Sequence, residues 1–179
     1  MESSLSAISV GRLVSIKNFD VVLDAWTGIS IPLRLVGDGP EYKNLENQAQ
    51  RLGLLDRVEL LGERSDVSEL MARSDLLVVA SDKEGFSYVV LEALRSRLAV
   101  VSTKTGVAAE LVPKKYLIDQ PNSEILAKMV SKTIDSWEQT KREFEEAWRN
   151  AEELTTRRMV KATESVYLET LRFVSSSAS

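Results

Sequence analysis

The chain has no cysteine and no histidine among its 179 residues. Without cysteine there is no disulfide framework, and the redox compartment is left open. Without histidine, every histidine-based acid–base scheme and most zinc sites are excluded. No apolar run reaches transmembrane length, and no secretory signal is visible, so a cytoplasmic domain is expected. An excess of positive charge is also missing: the net charge is -4 and the pI about 5.1. That argues against a nucleic-acid surface built on bulk positive charge, while leaving room for a local basic pocket.

What is present is ordinary globular material, 44% hydrophobic and 28% charged, in a chain long enough for one domain with a real core. Short apolar runs alternate with helical patterns. Strands are predicted at Ala7–Val10, Leu33–Val36, Val58–Leu61, Leu76–Ala80 and Leu98–Ser102, with a sixth, edge strand at Tyr116–Ile118. Helices are predicted over Phe19–Trp26 with Asn18 as cap, over Glu41–Arg51, and over Val67–Arg73 with Ser65 or Asp66 as cap. From Asn122 onward the chain reads as helical. Ile125, Leu126, Met129, Val130 and Ile134 form one apolar face, Phe144, Ala147 and Trp148 another, and residues from Met159 to Phe173 a last one. The charge run Lys141–Glu146 reads as a solvated helix face. This alternation implies an α/β fold: a doubly wound, Rossmann-like parallel sheet of five to six strands, helices on both faces, and a helical C-terminus. A single domain over 7–174 is expected, with disordered termini at 1–6 and 175–179.

The organising stretch runs from Ser81 to Leu94. It leaves the apolar strand Leu76–Ala80, passes through a glycine-containing turn with Glu84, and enters a helix carrying Glu92. A carboxylate at a strand exit lies where open α/β sheets bind ligands. The free N–H groups of a helix start favour an anion. A second polar crossover follows the first strand, where Arg12 and Lys17 bracket the loop. The pair Gly37-x-Gly39 lacks the third glycine of a dinucleotide fingerprint, since Tyr42 stands there, and reads as a tight strand-to-helix turn.

With Gly85, Phe86, Leu91 and Ala93 in place around Glu84 and Glu92, the stretch resembles the E-x7-E motif of retaining glycosyltransferases of family 4, which have the GT-B fold. Gly11-Arg12-Leu13 and Lys17 match the same family at the first crossover. The resemblance runs from about Val10 to the C-terminal helices and implies the C-terminal, donor-binding half of such an enzyme. It implies transfer of a sugar from a nucleoside diphosphate, of UDP or GDP type, to an acceptor hydroxyl. Catalytic roles would fall to Glu84, Arg12 and Lys17. Donor binding would involve Gly11, Arg12, Lys17, Glu63, Arg64, Glu84, Gly85, Phe86, Ser87, Val89 and Glu92. Arg12 and Lys17 would hold the diphosphate in place of a metal, Glu84 the sugar hydroxyls and Glu92 the ribose. Neither a metal nor a cofactor is implied, and no Asp-x-Asp metal motif is present. The expected partners are a nucleotide sugar and an N-terminal acceptor-binding domain, in cis or in trans. The full enzyme could associate peripherally with the inner membrane face. Tyr167, Leu168, Leu171 and Phe173 would meet that lost half. Two places depart from the family pattern: Arg97-Leu98-Ala99, where Gly-x-Pro is usual, and Thr105-Gly106, where Gly-Gly is common. The alternative from another class is a non-catalytic doubly wound module for regulation or subunit interaction. A dinucleotide-dependent oxidoreductase is the weaker rival.

Overall fold

The computed structural model describes residues 5–154. Tyr167, Leu168, Leu171, Phe173 and the segment 175–179 lie outside the described residues. Six strands form one sheet: β1 (Ala7–Val10), β2 (Leu33–Val36), β3 (Val58–Leu60), β4 (Leu76–Val79), β5 (Ala99–Thr103) and β6 (Leu117–Ile118). Their order is β3-β2-β1-β4-β5-β6 and every pairing is parallel. Parallel strands must be covered on both faces, which is why β4 and β5 are buried along their whole length.

Seven α-helices accompany the sheet among the described residues: α1 (Phe19–Trp26), α2 (Tyr42–Arg51), α3 (Val67–Ala72), α4 (Tyr88–Arg95), α5 (Ala108–Leu111), α6 (Ser123–Asp135) and α7 (Trp137–Glu153). The strand order reverses between β1 and β4, so the crossovers leaving these two neighbours diverge. A crevice opens beyond their carboxyl ends.

The helix faces follow their spacing. In α1, Phe19, Val22, Leu23, Ala25 and Trp26 are buried, and the Trp26 indole donates to the Ile31 carbonyl at 2.9 Å. In α7, Phe144, Ala147 and Trp148 are buried as expected, joined by Thr140 and Ala151. The expected face of α6 is only partly right. Leu126 and Val130 are buried, while Ile125 is 47% exposed and Thr133 takes a buried place. Asn122 caps α6 through its side chain, which accepts from the Ile125 N–H.

Two other expected caps do not form. Asn18 sits at the N-cap of α1 in the left-handed region, with φ 49°, and its side chain donates instead to the Ala80 carbonyl just past β4. Asp66 occupies the N-cap position of α3, but its carboxylate is taken by Arg64 at 2.8 and 2.7 Å. Residue 6 also departs from the frayed terminus expected there. Ser6 N–H donates to the Asp75 carboxylate at 2.9 Å, and its carbonyl accepts from the Asp75 N–H at 2.9 Å.

At the far end of α4, Arg97 has φ 63° where the family pattern has glycine. A non-glycine residue there costs roughly 1–2 kcal/mol. Contacts to α7 offset it. Arg97 pairs with Glu152 at 2.8 Å and lies 5.8 Å from the Trp148 ring centre, while the Trp148 indole donates to the Leu98 carbonyl at 2.7 Å. Arg95 adds bonds to the carbonyls of Ala151 and Leu154 at 3.1 and 2.6 Å.

The run Lys141–Glu146 is solvated except at two points, buried Phe144 and Glu143. Glu143 accepts from the Tyr116 hydroxyl at 2.6 Å and from Gln139 at 2.9 Å, and it pairs with Lys115. These donors, Lys115 first, hold its carboxyl at about 2 against an ordinary 4.5. The charged form is therefore favoured by folding. Its contribution to stability is complete above the ordinary value and disappears as pH falls from 4.5 through 2. Melting temperatures of the wild type and Glu143→Gln should differ near neutral pH and converge across that acid window. A gap that stays constant with pH would contradict the assignment.

Candidate functional site

The crossovers after β1 and β4 meet directly. Lys17 closes a short 3-10 turn, Ser15–Lys17, and its ammonium donates to Glu84 Oε1 at 2.5 Å. The pair is largely withdrawn from solvent, with side-chain exposures of 24% for Lys17 and 10% for Glu84. The Ser81 hydroxyl donates to the same oxygen at 2.8 Å. Two further bonds join the loops: Asn18 Nδ2 to the Ala80 carbonyl at 3.0 Å, and Asp82 N–H to the Ile16 carbonyl at 2.9 Å. A cation from one crossover and a carboxylate from the other are thus fixed at the switch point. An ammonium has three donors, so Lys17 keeps donors for a second acceptor.

Beside this pair lies a cleft of about 520 Å³ at the carboxyl ends of β1, β2 and β3. Gly11, Arg12, Gly37, Asp38, Gly39, Glu63, Arg64, Val10, Val36 and Val67 line it. The Arg12 side chain is exposed and makes no hydrogen bond or ion pair among the described residues. Arg64 is engaged by Asp66; their hydrogen bonds hold the Asp66 carboxyl below its usual range and push Arg64 higher still.

The turn Gly37-Asp38-Gly39 does more than reverse the chain. Gly11 N–H donates to the Val36 carbonyl at 3.0 Å and Leu13 N–H to the Asp38 carbonyl at 2.9 Å. The two loops press so closely that a Cβ on Gly37 would lie 1.9 Å from the Gly11 carbonyl oxygen, and one on Gly39 2.4 Å from that of Leu13. These glycines shape the cleft floor. The Gly-x-Gly spacing was the available signal, and only the packing of the first crossover against it reveals this role.

Around Glu84 the turn is built from both sides. Gly106, after β5, would bring a Cβ within 3.1 Å of the Glu84 Cβ, and Val107 N–H donates to the Phe86 carbonyl at 3.0 Å. Gly85 is exposed, and a Cβ there would meet no protein atom within 4 Å. Its lack of a side chain is therefore not required by internal packing. Phe86 is half-buried, packs against the core, and sits 5.0 Å from the Tyr88 ring. Ser87 caps α4 in the left-handed region, φ 60°, without a side-chain cap bond, and its buried hydroxyl has no partner. The Ser87 carbonyl accepts from the Val90 N–H at 3.2 Å, while its side chain caps neither Tyr88 nor Val89.

Gly11, Arg12, Glu63 and Arg64 therefore share one cleft, and Lys17, Glu84 and Ser81 adjoin it. Gly85, Phe86, Ser87, Val89 and Glu92 do not line it. Glu92 is exposed on the same face of α4 as Tyr88, and its carboxylate has no partner among the described residues. Ser81, Asn18, Gly37, Gly39 and Gly106 were not predicted as site residues.

The family model described as glycosyl transferases group 1 matches residues 2–152. An N-acetyl-alpha-D-glucosaminyl L-malate synthase from Bacillus anthracis is 28% identical over 96% of this chain and 47% of its own. An uncharacterized glycosyltransferase from Methanocaldococcus jannaschii is 30% identical over 89% of this chain and 47% of its own. The chain thus spans about half the length of these curated relatives. The crystal structure of Anabaena HepE in complex with UDP-glucose superposes with TM-score 0.81 at 29% identity, covering 93% of this chain and 49% of HepE.

The cleft floor yields a direct expectation. Gly37→Ala drives a Cβ into backbone that cannot move without opening the first crossover, so it should destabilise the domain by more than about 2 kcal/mol. Chemical denaturation checks this; an unchanged midpoint would contradict the close approach.

Proposed function

The chain belongs to the glycosyl transferases group 1 family, and from that premise we propose that it forms the nucleotide-sugar half of a retaining enzyme of family 4. The reaction is transfer of a sugar from a nucleoside diphosphate to an acceptor hydroxyl. The observation that carries this reading is the Lys17–Glu84 pair, held between the β1 and β4 crossovers beside unpaired Arg12.

The chemistry follows from charge. The cleft takes the nucleoside, and Glu63 and Arg64 are among the residues that line it. The diphosphate extends toward Arg12 and Lys17. A departing nucleoside diphosphate gathers negative charge, and fixed cations lower the barrier by stabilising it. Arg12 can bind it through two parallel hydrogen bonds, and Lys17 acts as a point charge. In this reading the two cations serve in place of a metal. The sugar lies over Gly85, where the backbone is accessible, with Glu84 accepting from its hydroxyls. In this reading the Tyr88 and Val89 N–H groups, which the Ser87 side chain does not cap, add donors for the diphosphate. Glu92, one turn along α4 from Tyr88, accepts from the ribose hydroxyls in this reading, with the nucleotide crossing the exposed face of that helix.

A UDP-type donor is favoured because HepE, a relative of similar fold, binds UDP and UDP-glucose; a GDP-type donor is the alternative. Acceptor binding is assigned to a further domain, in cis or in trans. No described helix is long and apolar enough to cross a membrane. We place the reaction in the cytoplasm, at the inner membrane face where the acceptor is a lipid.

Thermal unfolding with UDP, GDP, ADP and their sugars tests the reading. A ligand at about a hundred times its dissociation constant adds about 2.7 kcal/mol of stability. Stabilisation by one nucleotide class is expected, and no shift with any would favour a non-catalytic interaction module. A charge-assisted bond contributes roughly 1.5–3 kcal/mol, so Arg12→Ala should weaken nucleotide binding on the order of 10- to 100-fold without unfolding the domain. Glu92→Ala should weaken it too, and unchanged affinity in both variants would remove the site assignment.

A further inference from the structure

We propose that Ser81 is a positioning residue: its hydroxyl and the Lys17 ammonium together load one oxygen of Glu84, so that the other oxygen is presented to the donor sugar. The inference rests on the donor-site reading and adds a residue and a geometry to it.

Three observations lead there. Both donors converge on Oε1, Lys17 at 2.5 Å and Ser81 at 2.8 Å, while Oε2 has no hydrogen bond among the described residues. A carboxylate held at one oxygen by two donors from different directions has little freedom to rotate, and its remaining lone pairs are left for a ligand. Ser81 is itself immobilised. It is 1% exposed, and its carbonyl accepts from the Thr103 hydroxyl at 2.7 Å, a side chain buried at the end of β5. The Glu84 carboxylate thus joins the β1 crossover to the end of β4, and Ser81 in turn is tied to the end of β5. Finally, in the donor-site reading Lys17 is shared between Glu84 and the ligand. Its ammonium must also meet the diphosphate, whose charge competes for it. Ser81 cannot reach away from its buried place, so it holds Glu84 when Lys17 is drawn toward phosphate.

The consequence distinguishes two ligands that share a nucleotide. A nucleoside diphosphate without its sugar does not use Glu84 Oε2, whereas the nucleotide sugar does. Loss of the Ser81 hydroxyl should therefore act on the sugar and not on the nucleotide.

The test is calorimetric titration of the full chain with UDP, GDP, UDP-glucose, UDP-N-acetylglucosamine and GDP-mannose. Wild type, Ser81→Ala, Ser81→Cys and Glu84→Gln are compared, with melting temperatures recorded. Ser81→Ala is expected to lower affinity for the preferred nucleotide sugar about tenfold, roughly 1.4 kcal/mol, and to leave the matching nucleoside diphosphate unchanged. Ser81→Cys, close in size with a weak donor, should fall between. Glu84→Gln should show the same selectivity with a larger loss. A merely structural serine would lower the melting temperature and weaken both ligands equally, and that result overturns the proposal. So would an Ser81→Ala protein that binds both ligands as the wild type does, or a wild type that binds a nucleoside diphosphate but no sugar nucleotide. Wild type that binds no nucleotide at all would instead remove the donor-site reading, and this inference with it.

Discussion

A doubly wound parallel sheet creates a crevice where its strand order reverses, but topology alone does not say what the crevice contains. Here its contents are set by one constraint. The Lys17 ammonium and the Glu84 carboxylate, carried by crossovers from neighbouring strands, must each be neutralised after partial removal from water. Either charge alone would sit partly desolvated without its counter-charge, which costs more than the pair itself contributes. The two loops are therefore committed to each other before any ligand arrives. The bonds Asn18–Ala80 and Ile16–Asp82 belong to the same commitment. An anion reaching the crevice finds one cation already oriented by Glu84 and a second, Arg12, still free.

The rest of the molecule supports that arrangement from behind. The glycines of the β2 turn let the first crossover settle against it, which fixes where Arg12 projects. Gly106 lets the β5 loop close on Glu84 from the other side. At the opposite end of α4, Arg95, Arg97 and Trp148 lock that helix to α7. The helix that leaves the Glu84 turn is thus anchored at its C-terminus. Arg97 takes a backbone conformation normally given to glycine, and its side chain compensates with an ion pair and a ring contact. The departure from the family pattern at this point therefore falls on the turn, away from the crevice.

Much of this was legible in the sequence, for reasons that differ by element. The apolar runs of β1, β2 and β4 are short, bounded and unambiguous, and they form within a residue of the expected limits. Lys17, Arg12 and Glu84 could be read because they sit beside recognisable strand exits. What escaped were interactions between loops distant in sequence. Asn18 looks like a helix cap, and nothing local says that its amide crosses to Ala80. Asp66 looks like a cap as well, until Arg64 two residues earlier takes its carboxylate. Ser81 is an unremarkable small residue at a strand end, and its part emerges only when three strands are placed side by side. Glu143 was read as one charge in a solvated run. Its fixed role comes from Tyr116 and Lys115, more than twenty residues away.

The convergence of the two crossovers on one donor molecule is tested most directly by a crystal structure of the chain with UDP bound. The nucleoside should lie in the cleft between Gly37 and Glu63, with the diphosphate oxygens within hydrogen-bond reach of Arg12 and Lys17 and with Glu84 still bonded to Ser81. A nucleotide bound elsewhere, or one whose phosphates leave Arg12 and Lys17 untouched, would contradict the account.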